Sequence, residues 1–184
     1  MAIISIIGTS GVGKSFLTKQ LASLTSLPAF FEGEEGTIPK EILKNVFSKE
    51  DPNKRYKWFL NRYKTILNNA KTVSDTGLDC YVDCSKLLAK AVLASENATL
   101  SLDLIKSDKT ILLTASKEKL QEQINLRNRS SENNDQTIKR AIRIQDHLIK
   151  LSKEEENTII IDRSNLDFTK EKDLKKILKK IMQQ

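Results

Sequence analysis

Short apolar runs rich in β-branched residues, at Ala2–Ile7, Pro28–Phe31, Lys109–Leu113 and Thr158–Ile161, are separated throughout this sequence by stretches of helical spacing. A weaker run lies at Lys71–Ser74. The helical patterns cover Lys14–Leu24, Pro39–Phe47, Asn53–Asn69, Tyr81–Ser95, Lys117–Arg127, Asp135–Ser152 and Lys170–Met182. Strands this far apart cannot join as hairpins. They need crossover connections, and crossovers make a parallel sheet with helices on both faces. The expectation is an α/β, three-layer fold with about five parallel strands. A chain of 184 residues is long enough for such a domain, which buries roughly 70% of its unfolded surface. No repeat, low-complexity tract or flexible linker divides it, so 1–184 reads as one domain.

Between the first apolar run and the first helical pattern stands Gly8-Thr9-Ser10-Gly11-Val12-Gly13-Lys14-Ser15, which fits G-x-x-x-x-G-K-[ST]. The glycines let the backbone turn tightly and bring its N–H groups onto phosphate oxygens. The following helix aims its positive end at the same place. Lys14 is spaced to reach the β- and γ-phosphates, and the Ser15 hydroxyl to bind Mg²⁺. Strand before and helix after are the context this motif requires. The expected ligand is a nucleoside triphosphate, ATP with Mg²⁺.

Bulk properties exclude other classes. With 39% apolar and 30% charged residues the chain has an ordinary water-soluble balance. No segment approaches the ~20 apolar residues of a membrane span. The start, MAIISII, lacks the basic flank of a secretory signal. A cytoplasmic protein without membrane partners is expected. Cys80 and Cys84 fall in a stretch of helical spacing with no histidine beside them, which favours reduced, buried thiols over zinc. The net charge of +7 suits an anionic ligand. Part of it lies in "KEKDLKKILKKI", where Leu174, Ile177, Leu178 and Ile181 form one apolar stripe among lysines. That is a solvated docking helix, so nucleic acid is not an expected partner. His147, in a helical pattern among Ile142, Ile144 and Leu148, reads as a packing or surface residue.

Hydrolases and kinases share the phosphate loop. A small kinase also needs cations that close over the transferring phosphoryl group. "QINLRNRSSEN" offers them: Arg127 and Arg129 end a helix and open a very polar loop, a candidate lid at about 127–137.

"SDKTILLTASKEKLQEQINLRNRSSE", a strand and a helix ending R-x-R-x-x-E, resembles the lid segment of the deoxynucleoside kinase family. "VFSKEDPNKRYKWFLNRY", "TIIIDRSNLDF" and "AFFEGEE" are similar to further segments of that family in the same chain order. The resemblance implies the P-loop kinase fold with a short Arg-bearing lid, and transfer from ATP to a nucleoside 5′-hydroxyl, as in nucleotide salvage. It also implies a homodimer. Glu32 matches the acid that takes the hydroxyl proton, with Glu34 and Glu35 near enough to shift the register. Arg127 and Arg129 match the lid arginines, and Glu132 the lid acid that meets the sugar 3′-hydroxyl. The loop from Asp162 to Phe168, with Asp167, matches the segment beside the adenine. Trp58 and Phe59 are candidate walls of the acceptor pocket.

Departures from the family fall mainly on the acceptor side. The glutamine that pairs with the base falls on Asn61, a tyrosine near the sugar on Ser48, and an arginine on Asn68. The acid-arginine pair ending the third strand reads Asp75-Thr76, which makes Asp75 a substrate-side candidate without its arginine. A lid-helix arginine falls on Gln123, and Arg62 or Arg55 remain to substitute. The room from Asn61 to Asp75, only about fourteen residues, would compress that side of the pocket. Two other readings stay open: a nucleoside monophosphate kinase, and a degenerate nucleotide-binding relative without turnover.

Overall fold

The computed structural model describes residues 1–33, 51–127 and 134–183. Its strands are β1 (Ile3–Ile7), β2 (Ala29–Phe30), β3 (Cys80–Val82), β4 (Lys109–Thr114) and β5 (Thr158–Asp162). Among the described residues the helices are α1 (Lys14–Thr25), α2 (Pro52–Asp75), α3 (Lys86–Ser95), α4 (Lys117–Arg127), α5 (Asn134–Ser152) and α6 (Glu171–Met182). The five strands form one sheet in the order β2-β3-β1-β4-β5. Every pairing is parallel. The expected α/β sheet is the one observed.

β1 lies at the centre and is buried at all five positions, which explains its unbroken IISII: a strand covered on both faces needs no polar alternation. Its side chains divide by the two-residue period. Ile3 and Ile7 join Tyr63, Ile66, Leu67 and Ala70 of α2, Leu87 and Leu88 of α3, and Ile144 and Leu148 of α5 in one core. Ile4 and Ile6 face the other way, toward Leu17 and Leu21 of α1 and Leu174, Ile177 and Ile181 of α6. The stripe read from the C-terminal lysine-rich segment is thus a docking face against the sheet. Two carboxylates hold the lower end of β1: Ala2 N–H donates to Asp79 Oδ1 at 2.7 Å and Ile3 N–H to Asp108 Oδ2 at 2.7 Å.

The third strand requires a correction. Lys71–Ser74, expected as a weak strand, is the last turn of α2. Tyr56, Tyr63, Ile66, Leu67 and Ala70 are the buried residues of that helix, and this 3.6-residue period outweighs the β-branched Thr72 and Val73. The helix ends at Thr76 and Gly77, the latter at φ +93°, a conformation that suits glycine. Tyr81–Ser95, expected as a helix, divides into β3, a loop at 83–85 and α3, which the Ser85 side chain caps by accepting from Leu88 N–H at 3.0 Å. Cys80 therefore sits on a strand and Cys84 in the loop after it. Residues 134–137, assigned to the lid from sequence, are the first turn of α5. The expected helix Pro39–Phe47 and the lid core at 128–133 lie outside the described residues.

Both cysteines are free and buried. Burial pushes both thiols up, Cys84 well above its ordinary value, with Asp79 adding at Cys80 and Asp83 at Cys84. Neither should react with a thiol reagent at neutral pH while the chain is folded, and both should react at once in denaturant. Fast labelling of the native protein would contradict this packing.

Candidate active site

β1 ends at Ile7 and α1 begins at Lys14, so the phosphate loop bridges the centre of the sheet to a helix N-terminus. Gly13 is the N-cap of α1 at φ +89°, and no side chain caps that helix. Its first N–H groups are left for a ligand, the arrangement that attracts anions. Gly11 is at φ +82°, and a Cβ there would come within 2.8 Å of Ile124 Cγ1. The Thr9 hydroxyl is buried without a hydrogen-bond partner. A glycine-lined turn, an uncapped helix and an orphaned hydroxyl together fit a polyphosphate.

Asp83, at the C-terminal end of β3, connects this loop to the neighbouring strand. It is 1% exposed. Ser15 Oγ donates to its Oδ2 at 2.7 Å, and Glu32 N–H to its Oδ1 at 2.5 Å. The loop after it is held by Ser5, whose Oγ donates to Cys84 O at 2.8 Å. The sequence pattern passes over Asp83, because it puts the third strand at Lys71–Ser74, ahead of the observed β3. Asp75, the residue chosen instead, lies at the exposed end of α2 in an ion pair with Lys71. Ser74 beside it donates to Met1 O at 2.9 Å. That is the opposite end of β1 from the phosphate loop, about 17 Å away along the strand. Cys84 stands where an arginine after the strand-ending acid was sought, so that arginine is still absent in the corrected register.

Glu32 is gripped from three sides. Its N–H is on Asp83, its carbonyl accepts from Arg62 Nε at 2.9 Å and also from Arg62 Nη2, and its carboxylate accepts from the Tyr63 phenol. Burial raises its pKa. The Lys14 ammonium opposes that rise, the Asp83 carboxylate adds to it, and Tyr63 and Arg62 counter it more weakly. Burial and the Glu32 carboxylate likewise push the Tyr63 phenol well up. The structure therefore brings Glu32, Lys14 and Ser15 together around Asp83. Arg62, one of the two arginines expected to substitute for those missing, reaches from α2 to the backbone carbonyl of the acid.

Beside this centre, Trp58, Asn61, Arg62, Thr65 and Ile66 line a cavity of about 280 Å³. The Arg62 guanidinium lies 5.3 Å from the centre of the Trp58 ring. Trp58 packs edge-on against Phe59 at 4.9 Å. On the loop after β5, the acids are occupied locally: Asp162 Oδ1 accepts from Ser164 N–H and Oγ, and Asp167 Oδ1 from Thr169 N–H and Oγ1. These bonds hold both carboxyls below the usual range. Phe168 is buried, and Arg163 covers its ring at 4.7 Å. The side chain of Arg127, together with Arg129, Glu132, Glu34, Glu35 and Ser48, lies outside the described residues.

A central phosphate loop, a parallel sheet in this order and an acid facing the loop define a three-layer α/β fold of the P-loop kinase type. No protein-family model and no curated protein matches the sequence. Solved structures match the fold over nearly its whole length. Deoxyadenosine kinase from M. mycoides, with the products dCMP and a flexible dCDP bound, superposes with a TM-score of 0.76 at 17% identity, covering 99% of this chain and 100% of that one. The same enzyme with bound dATP gives 0.68 at 18% identity over 99% and 100%. Thymidylate kinase from Candida albicans gives 0.72 at 13% identity over 99% and 91%. At these identities the likeness is one of fold.

Because the pKa of Glu32 is raised, the native state holds a proton that the unfolded chain has released, in the window between the ordinary and the raised value. Stability therefore falls as pH rises through that window. Glu32→Gln keeps an acceptor for Tyr63 and removes the buried charge. Its thermal midpoint should lie above the parent's in mildly alkaline buffer, and the gain should vanish in acid. A lower midpoint in alkaline buffer would mean that Lys14 and Arg62 stabilise the carboxylate by more than burial costs it.

Proposed function

We propose that this chain transfers a phosphoryl group from Mg·ATP to the 5′-hydroxyl of a deoxynucleoside. The observation that carries the reading is the placement of Glu32, in reach of the Lys14 ammonium and joined through Asp83 to Ser15. An acid there can accept the hydroxyl proton as the phosphoryl group arrives, and a raised pKa makes it a better acceptor near neutral pH. The loop amides of 8–15 and the N-terminus of α1 bind the phosphates, and Lys14 draws charge from the β- and γ-oxygens. Ser15 and Asp83 would hold Mg²⁺, which supplies charge neutralisation between the phosphates when bound. Among the described residues no cluster of three His, Cys, Asp or Glu side chains could hold a metal ion. The ion would then take its remaining ligands from phosphate and water, as Mg²⁺ in kinase sites does.

Trp58, Asn61 and Arg62 bound the acceptor side in this reading. Asp162, Asp167 and Phe168 shape the loop beside the donor base, and Arg127, Arg129 and Glu132 close over both substrates from the lid. Domain extent 1–184, a homodimer and a cytoplasmic location belong to the same proposal. No helix of the described residues is long and apolar enough to cross a membrane.

A second reading, transfer to a nucleoside monophosphate, is favoured by the fold shared with a thymidylate kinase. ADP release from Mg·ATP, measured with each deoxynucleoside, each deoxynucleoside monophosphate and no acceptor, separates the two. Turnover with a nucleoside supports the first reading, turnover with monophosphates alone the second, and ATP binding with silence throughout a relative without turnover. In the active assay Lys14→Ala should lower turnover by about 10²–10³-fold with little change in circular dichroism, since Lys14 serves the phosphates and no core cluster.

A further inference from the structure

Arg163 follows the last residue of β5, and its backbone is fixed as a continuation of the sheet: its N–H donates to Thr114 O at 2.8 Å. Its side chain crosses to the phosphate loop, where Nη1 donates to Val12 O at 2.6 Å. Nη2 reaches Gln123 Oε1 on α4 at 3.5 Å. The guanidinium lies against Gly13, where any Cβ would overlap Nη1. The Phe168 ring, part of the core between the sheet, α1 and α6, supports it from the other side. Glycine at 13 is thus required by its φ, and a side chain there would also push this arginine aside.

A trans peptide points its C=O and the next N–H in opposite directions. With the Val12 carbonyl held toward Arg163, the Gly13 N–H points to the opposite side of that peptide, away from the guanidinium. An anion nest works only if its amides already converge, and the Arg163 bond to Val12 O holds that peptide plane. The cation also adds positive potential at the back of the loop.

We propose that Arg163 is a positioning residue for nucleotide binding, which holds the Val12–Gly13 peptide so that the Gly13 amide faces the phosphates. The proposal rests on the nucleotide reading of the loop and extends it to a residue 151 positions away in the chain. The contact is to backbone, so the effect falls on phosphate affinity whatever base is attached.

Calorimetric titration of Mg·ATP and of inorganic tripolyphosphate into the parent, Arg163→Met and Arg163→Lys tests it. Arg163→Met keeps an apolar stem over Phe168 and should weaken both ligands alike by about 10- to 100-fold, the worth of one charge-assisted hydrogen bond. Arg163→Lys keeps a charged donor and should recover part of the loss for both, which a general loosening of the fold would not produce. Loss confined to ATP, with tripolyphosphate bound as tightly as by the parent, would make Arg163 a base platform and overturn the proposal, as would unchanged binding of both. A parent that binds neither ligand would remove the nucleotide reading itself, a result distinct from either of those.

Discussion

The buried carboxylate of Asp83 is the interaction on which the rest of the site depends. An unpaired charge at that depth would cost several kcal/mol, so its two oxygens must be engaged, and what engages them decides the geometry. One holds the Ser15 hydroxyl in the first turn of α1; the other holds the N–H of Glu32 just beyond β2. Three chain segments far apart in sequence, at 15, 32 and 83, are thereby brought to one point. β3 can do this because it lies between β2 and β1 in the sheet. Its short length matters less than its place, since a three-residue strand suffices to deliver one acid to the end of the loop.

Around that point the structure balances opposing electrostatic effects on Glu32. Burial and the neighbouring Asp83 favour the neutral acid, whereas Lys14, the Tyr63 phenol and Arg62 favour the carboxylate. Arg62 acts chiefly on the backbone carbonyl, so it orients the residue and lowers its pKa only weakly. The carboxylate itself meets a neutral hydroxyl. A carboxyl held by a phenol keeps more of its basicity than one paired with a guanidinium. Such an acid is suited to taking a proton from an alcohol.

Legibility in the sequence followed the range of each interaction. The phosphate loop is contiguous, and its strand and helix are set by patterns within a few residues, so Gly8 to Ser15 could be read directly. β1, β4 and β5 declare themselves by apolar runs of four to six residues, and α6 by a clean stripe. β3 does not. Cys-Tyr-Val is too short to show a period and buried on both faces, so it shows no alternation, and the β-branched end of α2 outbid it. Asp83 was lost with it, since the acid was sought at the end of the wrong element. Glu32 was legible as one of three acids. What distinguishes it here, Arg62 and Tyr63 on α2, depends on the packing of that helix against β2, which no local pattern records. Arg163 left no signal at all: an arginine after a strand-ending Asp is ordinary, and its partners are on α4 and the phosphate loop.

The same difference in range explains why the two sides of the proposed reaction diverge so unequally from the family pattern. In that reaction phosphate would be bound mainly by backbone amides and a helix terminus, which any chain with these glycines at this sheet position presents. Side-chain changes elsewhere leave them untouched. In the proposed reaction the acceptor side would be built from side chains on α2, where each position counts separately. Asn61 is one methylene shorter than glutamine. On the solvent-facing wall of the cavity it shares with Trp58 and Arg62, a shorter amide would, in the proposed reaction, reach a base less directly. A site that recognises a base through water discriminates less sharply than one that leaves a mismatched polar group unpaired. The Trp58 ring beside Asn61 is already engaged, by the Arg62 guanidinium over the ring and by Phe59 packed edge-on.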